Sequence, residues 1–395
     1  MTGISREIEP VLRRLLAQRP CVVLTGCRQT GKTWLARSVL PHATYVTLDL
    51  PSVAEQAEGS GQRFLEQHPA PCVIDEVQYA PALFRNLKVA IDRTRDRSGA
   101  YLLTGSQRFV LMKGVTESLA GRAAILELSP LSLAEIEAAR GQRAEGDRLL
   151  EWMWQGAFPE LHARDLDAAE FHASLIATYL ERDVRSLLAV RNLRDFERFL
   201  RLLAVRAGSL LEIGALASDT GISVNTAKAW LGVLEASGVL LLTPPWFENI
   251  GKRLVKSPKV YFLDTGLLCA LLSIESQRAL AKTSLRGAVF ENLVHAELVK
   301  SFTNRGARPR IHFYRDHAGV EVDFVIPEAD RLHLIEVKYQ ERAALPKGFK
   351  QVASAVGDAR IASRCVVTAR RDSHERDGVV WRGPAGGAWP WEVER

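Results

Sequence analysis

The segment GCRQTGKT, residues 26–33, constrains the fold of this chain more than any other feature. It directly follows the apolar run CVVLT and precedes WLARSVL, which has helical character. Its two glycines let the backbone curl so that successive N–H groups point inward, and the following helix adds its positive N-terminal end. A strand, this turn and a helix in that order predict a phosphate-binding loop on a parallel α/β sheet.

This loop also predicts how a nucleotide is held. Lys32 is expected to reach the β- and γ-phosphates, and the Thr33 hydroxyl is expected to ligate Mg²⁺. The implied cofactors are therefore ATP and Mg²⁺. The residues predicted to bind the nucleotide are Gly26, Gln29, Thr30, Gly31, Lys32, Thr33 and Trp34. The alternative interpretation is a glycine-rich turn that binds nothing.

A second segment, PCVIDEVQ at 71–78, supplies two acids at the end of a strand-like apolar run. Asp75 is expected to help hold the Mg²⁺, and Glu76 is expected to polarise the attacking water as the catalytic base. The alternative is a strand that ends in two solvated acids. The phosphate loop upstream favours the catalytic interpretation.

Further candidate catalytic residues follow. AYLLTGSQ, at 100–107, is another buried strand whose polar end could sense the γ-phosphate, with Ser106 as the first candidate and Thr104 as the second; a plain strand-to-turn exit explains the same residues. Arg122 and Arg182 are candidates for an arginine that neutralises the transferred phosphate. Surface arginines are common, so an unrelated exposed position is the alternative for each.

The rest of the chain predicts several units. Strand-like runs at 21–26, 45–49, 72–76, 100–105 and 124–129 alternate with helical stretches, which is typical of a parallel sheet covered on both faces. Residues 193–264 give a helix, a helix-turn-helix with Ser223 as an N-cap, and a basic loop between two strands, the order of a winged helix. The predicted units are a P-loop ATPase core at 1–130, a helical lid or connector at 131–190, a winged helix at 191–275 and a separate α/β domain at 280–395.

The predicted winged helix offers polar and basic side chains to a duplex. Asn225, Thr226 and Trp230 lie on its second helix. The residues predicted to bind DNA are Lys228, Lys252, Arg253, Lys256 and Lys259. Closely spaced cations suit phosphates, and a net charge of +6 is compatible with that partner. Many winged helices are only protein scaffolds, so that alternative stays open.

Several segments together resemble a family of prokaryotic AAA+ ATPases of the archaeal-type group, whose C-terminal domain of unknown function is similar to Holliday-junction resolvases. The segments are LTGCRQTGKT, VIDEVQYAP, LLTGSQ, SLAGR, LSPLSLAE, YLERDVRSL, KSPKVYFLDTGLL, GAVFENLV, GVEVDFVI and IEVK. The resemblance covers nearly the whole chain. It departs at Cys27, where the family commonly has Pro, at Trp34, where it commonly has Thr, and at Ser106, where AAA+ enzymes often use Asn.

Two strand-like segments near the C-terminus carry alternating charge, GVEVDFVI at 319–326 and LIEVKY at 334–339. Alternation predicts that Val322 and Phe324 share one face while Asp323 lies on the other. It likewise places Glu336 and Lys338 on one face of the next strand. A short turn joins the two strands as a hairpin, so Asp323, Glu336 and Lys338 could converge.

This arrangement is that of PD-(D/E)XK nucleases, and the resemblance implies a restriction-endonuclease-like domain here. Asp323 and Glu336 would then bind a metal ion, and Lys338 would orient water. Glu291 in GAVFENLV matches the additional helix acid of resolvase-like relatives. The alternative is a solvated sheet face, which carries the same alternation. Whether such a domain cleaves nucleic acid is a separate question.

These features lead to two hypotheses. The first is an ATP-hydrolysing AAA+ protein that acts on duplex or branched DNA as a homo-oligomer, which could close into a ring. The second is a nucleotide-controlled regulator that binds DNA or protein and has an inactive nuclease fold. The five cysteines form no CxxC pair, and there is no apolar run long enough to span a membrane and no signal peptide. A cytoplasmic location with reduced, buried cysteines and no membrane partner is expected.

Overall fold

The computed structural model describes residues 3–94, 96–106, 111, 114–115, 117–164, 166–179, 193–247, 257–340, 345–370 and 372–393. Its first third is built on a five-stranded sheet in which every pairing is parallel and the strand order is β2-β3-β4-β1-β5. The strands are β1 Cys21–Thr25, β2 Thr44–Thr47, β3 Cys72–Asp75, β4 Tyr101–Gly105 and β5 Ala123–Glu127. The predicted α/β fold with a parallel sheet is confirmed.

Helices cover both faces of this sheet because its central strands are apolar on both sides. Side chains such as Val23 and Leu103 pack with Phe84 on one face, while Val22 and Leu24 pack with other helices on the opposite face. The helices of this part are Glu9–Gln18, Lys32–Val39, Pro51–Gly59, Gly61–Gln67 and Leu83–Arg93, with a 3₁₀ turn at Val77–Tyr79. The carboxyl ends of β1, β3 and β4 lie side by side, so loops that leave them share one edge.

Among the described residues, four helices follow the sheet in the region predicted to be a helical lid or connector. They are Leu133–Arg140, Gly146–Gln155, Pro159–Ala163 and Ala168–Tyr179. Ser132 begins the first of them with a capping box, in which its hydroxyl accepts from the Glu135 backbone and Glu135 accepts in return. Among the described residues, no helix is long and apolar enough to cross a membrane.

Three helices and a two-stranded ribbon come next. The helices are Leu193–Val205, Ile213–Thr220 and Val224–Ala236, and β6 Leu240–Thr243 pairs antiparallel with β7 Lys259–Phe262. Ser223 caps its helix as predicted, because its hydroxyl accepts from the Thr226 N–H. Trp230 does not face outward: it is buried with its ring against Phe196 and Phe199, so it is a core residue and not a contact for DNA.

The last part contains a six-stranded mixed sheet in the order β12-β13-β11-β10-β9-β8. Its strands are β8 His312–Arg315, β9 Glu321–Glu328, β10 Arg331–Lys338, β11 Ile361–Thr368, β12 His374–Arg376 and β13 Val379–Arg382. β8, β9 and β10 form an antiparallel meander, and β11 runs parallel to β10 after a crossover helix. The described α-helices that follow β7 are Thr265–Leu271, Gln277–Lys282, Arg286–Thr303, Lys347–Val356 and Pro390–Val393.

A single apolar core joins the middle of the chain to the last sheet. It contains Met153 from the first group of helices, Leu234 and Tyr261 from the second group and its ribbon, and Phe290 and Ile335 from the C-terminal part. The long helix Arg286–Thr303 therefore lies between the ribbon and the six-stranded sheet.

The alternation predicted for β9 is wrong at one point. Val322 packs against the helix Lys347–Val356, whereas Phe324 packs on the opposite side with Tyr261. The register of pairing with β8 shifts between His312 and Tyr314, and such a shift inserts an extra residue that rotates the following side chains.

Candidate nucleotide site and C-terminal acid cluster

The predicted phosphate loop links β1 to the helix Lys32–Val39 at the carboxyl edge of the parallel sheet. Gly26 has φ +147° and a Cβ there would lie 2.2 Å from the Leu128 backbone oxygen, so only glycine fits. Gln29 and Gly31 both have positive φ, at 60° and 89°. Consecutive turns of this kind aim backbone N–H groups into one concavity, which suits an anion.

Lys32 lies at the centre of this concavity. Its ammonium donates to the carbonyl oxygens of Gly26 at 3.0 Å and Cys27 at 2.8 Å, both on the inner side of the loop. The side chain is buried, and burial lowers the pKa of Lys32, while the charge of Glu76 acts in the opposite direction. A buried, positively charged ammonium in a cradle of N–H groups is suited to a polyphosphate.

The Asp75 carboxylate accepts hydrogen bonds from hydroxyl groups on three neighbouring elements. Its Oδ2 accepts from Thr33 Oγ1 at 2.9 Å and from the Tyr45 hydroxyl at 2.9 Å, and its Oδ1 accepts from the Thr104 hydroxyl. Thr33 and Asp75, the two predicted Mg²⁺ ligands beside the nucleotide, are thus in direct contact. Their hard oxygens fit Mg²⁺, which in nucleotide sites is held by one or two protein groups and the phosphates.

Glu76 follows Asp75 in a left-handed conformation with φ 55°, which turns its side chain toward β4. Its Oε2 accepts from Ser106 Oγ at 3.0 Å and from the Ser106 backbone N–H at 3.3 Å, and Gln78 donates to the same oxygen. Thr104 therefore contacts the predicted metal ligand, whereas Ser106 contacts the predicted base. Each of the two candidate sensors has a polar partner in the site.

A cavity of about 470 Å³ opens beside these groups. Its polar side is formed by Gln29, Gly31, Lys32, Thr33 and Glu76. The rest of its lining combines the apolar side chains Ile4, Trp34, Pro159 and Ala163 with Gly3 and the charged residues Arg6, Glu160 and Arg164. The Trp34 ring lies over the Gly3 backbone and is partly exposed. A polar side and a partly apolar side suit the phosphate and the base of a nucleotide.

A buried ion pair supports the phosphate loop beside the cavity, whose lining includes Arg6. Arg6 donates to Glu135 at 3.0 Å, to the Thr30 carbonyl at 2.8 Å and to the Ser129 carbonyl at 2.7 Å. The Arg6 and Glu135 side chains are 2% and 1% exposed, so each buried charge requires the other to neutralise it. Sequence reasoning missed Arg6, because an arginine before the first helix carries no motif.

The same network reaches the C-terminal part. Glu7 accepts from Ser132 at 2.9 Å and from the Asn304 amide at 2.8 Å, and Asn304 directly follows the helix Arg286–Thr303. The Glu7 backbone N–H donates to Glu135, the partner of Arg6. A chain of polar contacts, buried at Arg6 and Glu135 and partly exposed at Glu7, therefore connects the phosphate loop to the helix that carries Glu291.

Of the two predicted finger residues, the structure describes Arg122, which lies apart from the cavity. Arg122 pairs with both carboxylate oxygens of Asp92, at 2.7 and 2.9 Å, and is partly exposed, outside the cavity lining. Arg182 lies outside the described residues.

In the C-terminal sheet, Asp323, Glu336, Lys338 and Glu291 come close to one another. Lys338 pairs with Glu336 at 2.8 Å, and Asp323 Oδ2 accepts from the Val337 backbone N–H at 2.8 Å. Burial, then the charges of Glu291 and Glu336, hold the pKa of Asp323 well above its usual value. Burial likewise raises the pKa of Glu336. The alternating pattern of the two strands predicts that Asp323, Glu336 and Lys338 converge, whereas Glu291 is expected there only from the resemblance.

One further residue enters this group from β7. Lys259 forms an ion pair with Glu321 and lies 3.3 Å from Glu291 Oε1 and 3.9 Å from Asp323 Oδ1. Its side chain is 4% exposed. The prediction that Lys259 binds DNA is therefore corrected, because a buried ammonium surrounded by carboxylates cannot reach a phosphate.

The other predicted DNA contacts divide into two groups. Lys228 is exposed on the helix Val224–Ala236, as are Asn225 and the beginning of that helix. Lys252, Arg253 and Lys256 lie outside the described residues. All five cysteines are buried, as the sequence predicted.

Three families match the chain. A family described as an AAA domain matches residues 18–137, and two domains of unknown function match residues 146–278 and 286–385. Two solved structures are similar in part. The Walker-type ATPase PABY2304 of Pyrococcus abyssi has a TM-score of 0.46 and 17% identity, over 67% of this chain and 94% of that one. The Thermotoga maritima RuvB Holliday junction branch migration motor has a TM-score of 0.33 and 19% identity, over 61% and 90%.

Two curated proteins are similar over most of their length. They are the uncharacterized proteins Rv2008c of Mycobacterium tuberculosis and Mb2031c of Mycobacterium bovis. Each is 32% identical over 364 residues, which is 92% of this chain and 79% of the relative. The chain therefore belongs to the family of these two mycobacterial proteins, and its first third is an AAA+ P-loop ATPase domain.

Proposed function

We propose that the chain binds and hydrolyses ATP and uses the nucleotide to control how its middle and C-terminal parts contact DNA. The observation that best supports ATP hydrolysis is the position of Glu76, which lines the same cavity as Lys32 and Thr33. A base, a phosphate-binding ammonium and a metal-binding pair then surround one nucleotide-sized space.

Each residue has a defined task in hydrolysis. The N–H groups of the loop and Lys32 bind the β- and γ-phosphates and stabilise the charge that develops during transfer. Thr33 and Asp75 would hold Mg²⁺, which when bound screens the phosphate oxygens. Glu76 accepts the proton of the attacking water, and the bond from the γ-phosphorus to ADP breaks. Ser106 orients Glu76 by donating to its Oε2.

Positioning of Asp75 is a separate contribution of the neighbouring strands. Tyr45 and Thr104 both donate to this carboxylate, from β2 on one side and β4 on the other. Burial, then the hydrogen bond to Asp75, raises the pKa of Tyr45 to about 12, so the phenol stays a donor. Asp75 is therefore held toward Thr33.

The proposed DNA contact rests on the order of elements in the middle of the chain. The helix Ile213–Thr220, a turn at Gly221, the helix Val224–Ala236 and the ribbon of β6 and β7 follow the order of a winged helix. Exposed Lys228 near the start of the second helix supports this proposal, as does the basic segment 248–256 of the sequence. We also propose a homo-oligomer, in which Arg122 of one subunit could serve the phosphate of the next.

A specific observation favours a second candidate function, a regulator that binds without cutting. The connection of β8, β9, β10, a helix and β11 is compatible with the nuclease-like fold implied by the sequence. The acids do not fit a metal ion, however. Among the described residues, no three acid, histidine or cysteine side chains are arranged to hold one, and Lys259 lies among them. No cleavage step is therefore derived.

The two halves of the proposal are tested together by phosphate release in the presence of linear duplex, branched and single-stranded DNA. Lys32→Ala should reduce ATP hydrolysis to background, and one DNA structure should stimulate the unaltered protein. Lys228→Ala should weaken DNA binding, whereas Lys350→Ala, an exposed lysine of the C-terminal part, should not. Hydrolysis that persists in Lys32→Ala would refute the ATPase assignment. Absence of both DNA binding and stimulation would refute the DNA half alone.

A further inference from the structure

The ammonium of Lys259 lies at the place where carboxylates from two elements come together. Glu291 approaches from the helix Arg286–Thr303, and Glu321 and Asp323 approach from β9. Lys259 belongs to a different part of the chain, the ribbon strand β7, where its backbone pairs with Thr243. One cation from the middle of the chain is thus surrounded by three acids of the C-terminal part.

The site around Lys259 is built and enclosed. The Tyr261 hydroxyl donates to Glu291 Oε1 at 2.7 Å, and Arg315 approaches the second oxygen of Glu321 at 3.3 Å. The next residues of β7, Val260, Tyr261 and Phe262, are fully buried, so the strand that supplies the lysine is fixed in the core. Burial alone would lower the pKa of Lys259, but the charges of Glu291, Asp323 and Glu321 raise it above its ordinary value.

One acid of the cluster has an oxygen with no hydrogen-bond partner among the described residues. Glu336 is 8% exposed, and its Oε2 is buried and unpaired, while its Oε1 contacts Lys338. Buried carboxylate oxygens are normally paired, so this oxygen is open to a water molecule or an ion. The ammonium of Lys259 approaches the neighbouring Asp323 instead, at 3.9 Å from its Oδ1.

We propose that Lys259 takes the place of a metal ion in this cluster: its ammonium neutralises Glu291, Glu321 and Asp323, attaches the C-terminal sheet to the ribbon, and keeps divalent cations out. A divalent ion placed between the same oxygens would lie within a few ångströms of the ammonium, and like charges at that distance repel strongly. The oxygens are also committed to Lys259, Tyr261, Arg315 and the Val337 N–H instead of an octahedral set.

The inference concerns the C-terminal part alone and does not depend on ATP hydrolysis. It gives the acids a structural task, since they bind an internal cation. It also predicts that the metal site is latent: removal of the ammonium should leave Glu291, Glu321 and Asp323 without their shared cation, so that they can rearrange around a divalent ion.

The test is Mn²⁺ binding to the full chain without nucleotide, measured by the loss of the free Mn²⁺ signal in electron paramagnetic resonance. The unaltered protein should show no binding that depends on Asp323. Lys259→Ala should gain one ion per chain, with a dissociation constant of about 1 mM or tighter. Combining Lys259→Ala with Asp323→Asn in one protein should abolish the Mn²⁺ binding that Lys259→Ala gains. Lys350→Ala is the matched control, and it should behave like the unaltered protein.

Two results would overturn the proposal. One is Asp323-dependent Mn²⁺ binding by the unaltered protein, because the ammonium would then not exclude the ion. The other is a folded Lys259→Ala protein that gains no ion. If Lys259→Ala does not fold, Lys259→Gln keeps the length of the side chain, removes the charge and adds an oxygen. It should gain the ion as well, and a folded Lys259→Gln protein without the ion contradicts the inference.

Discussion

Replacement of Arg6 by methionine tests whether the buried network outside the phosphate loop holds the loop in place. Methionine has a similar length and no charge, so it leaves Glu135 buried without its cation. Removing one partner of a buried ion pair typically destabilises a protein by about 3–5 kcal/mol. The Arg6–Glu135 pair, at 3.0 Å and 2% and 1% exposed, meets the conditions for a cost in that range.

The assay is urea denaturation followed in parallel with ATP binding, because the Thr30 carbonyl also loses its donor. Arg13→Met is the matched control. Arg13 pairs with Glu9 at 2.7 Å, but the side chains are 53% and 27% exposed, and exposed pairs contribute about 0–1 kcal/mol. We expect Arg6→Met to lose several kcal/mol and to bind ATP more weakly, and Arg13→Met to lose little.

A double-mutant cycle identifies the cause. Glu135→Gln removes the charge that Arg6→Met leaves behind and keeps one carbonyl oxygen, which can accept from the Glu7 N–H or the Ser132 N–H but not from both, because these two N–H groups contact different oxygens of Glu135. The double variant should therefore be more stable than the sum of the two single losses predicts, by about 1–3 kcal/mol. Additive losses, or an Arg6→Met loss no larger than that of Arg13→Met, would refute this account of the loop.

Three further predictions concern the nucleotide site and the helices beside it. Tyr45→Phe removes one donor from Asp75 and should lower the rate of ATP hydrolysis by about tenfold or more while leaving the fold intact, since a hydrogen bond to a charged group contributes about 1.5–3 kcal/mol; an unchanged rate in a steady-state assay would contradict the role of Tyr45. Trp34→Ala removes the aromatic wall of the cavity and should weaken ATP binding by about tenfold or more in calorimetry, if the ring stacks on the base. Burial lowers the pKa of His162 from 6.5 to about 4, so the unfolded chain binds more protons than the folded chain between these pH values. The free energy of unfolding should therefore fall as the pH is lowered from 6.5, by at most about 3 kcal/mol. Thermal unfolding of His162→Gln should show a smaller loss of stability over the same pH range, and an identical loss would assign the effect to other groups.

The first third of the fold could be predicted because its signals are local. The five strands of the parallel sheet end within one or two residues of the predicted runs, since an apolar strand followed by a glycine-rich turn and a helix is specified by neighbouring residues. For the same reason, Asp75 and Glu76 were recognisable: a motif places them at the end of a strand, and the sheet brings that end beside the loop.

What could not be predicted depends on contacts between distant residues. Tyr45 lies 30 positions from Asp75, and Arg6 lies 129 positions from Glu135, and no local pattern marks either pair. Lys259 is the clearest example. A lysine beside a basic segment predicts an exposed phosphate contact, and only the packing of β7 against the C-terminal sheet shows that it is buried among acids. Likewise, a bulge in β9 reversed the face of Phe324, because bulges leave no clear signal in a sequence.

The central claim is that the phosphate loop binds ATP and that Glu76 activates the water that attacks it. The most direct measurement compares ATP binding and single-turnover hydrolysis in the unaltered protein and in Glu76→Gln. The account predicts that the variant binds ATP with an affinity within a few-fold of the unaltered protein, and that hydrolysis falls by about a hundredfold or more. Hydrolysis at an unaltered rate in Glu76→Gln, or no measurable affinity of the unaltered protein for ATP with Mg²⁺, would contradict it.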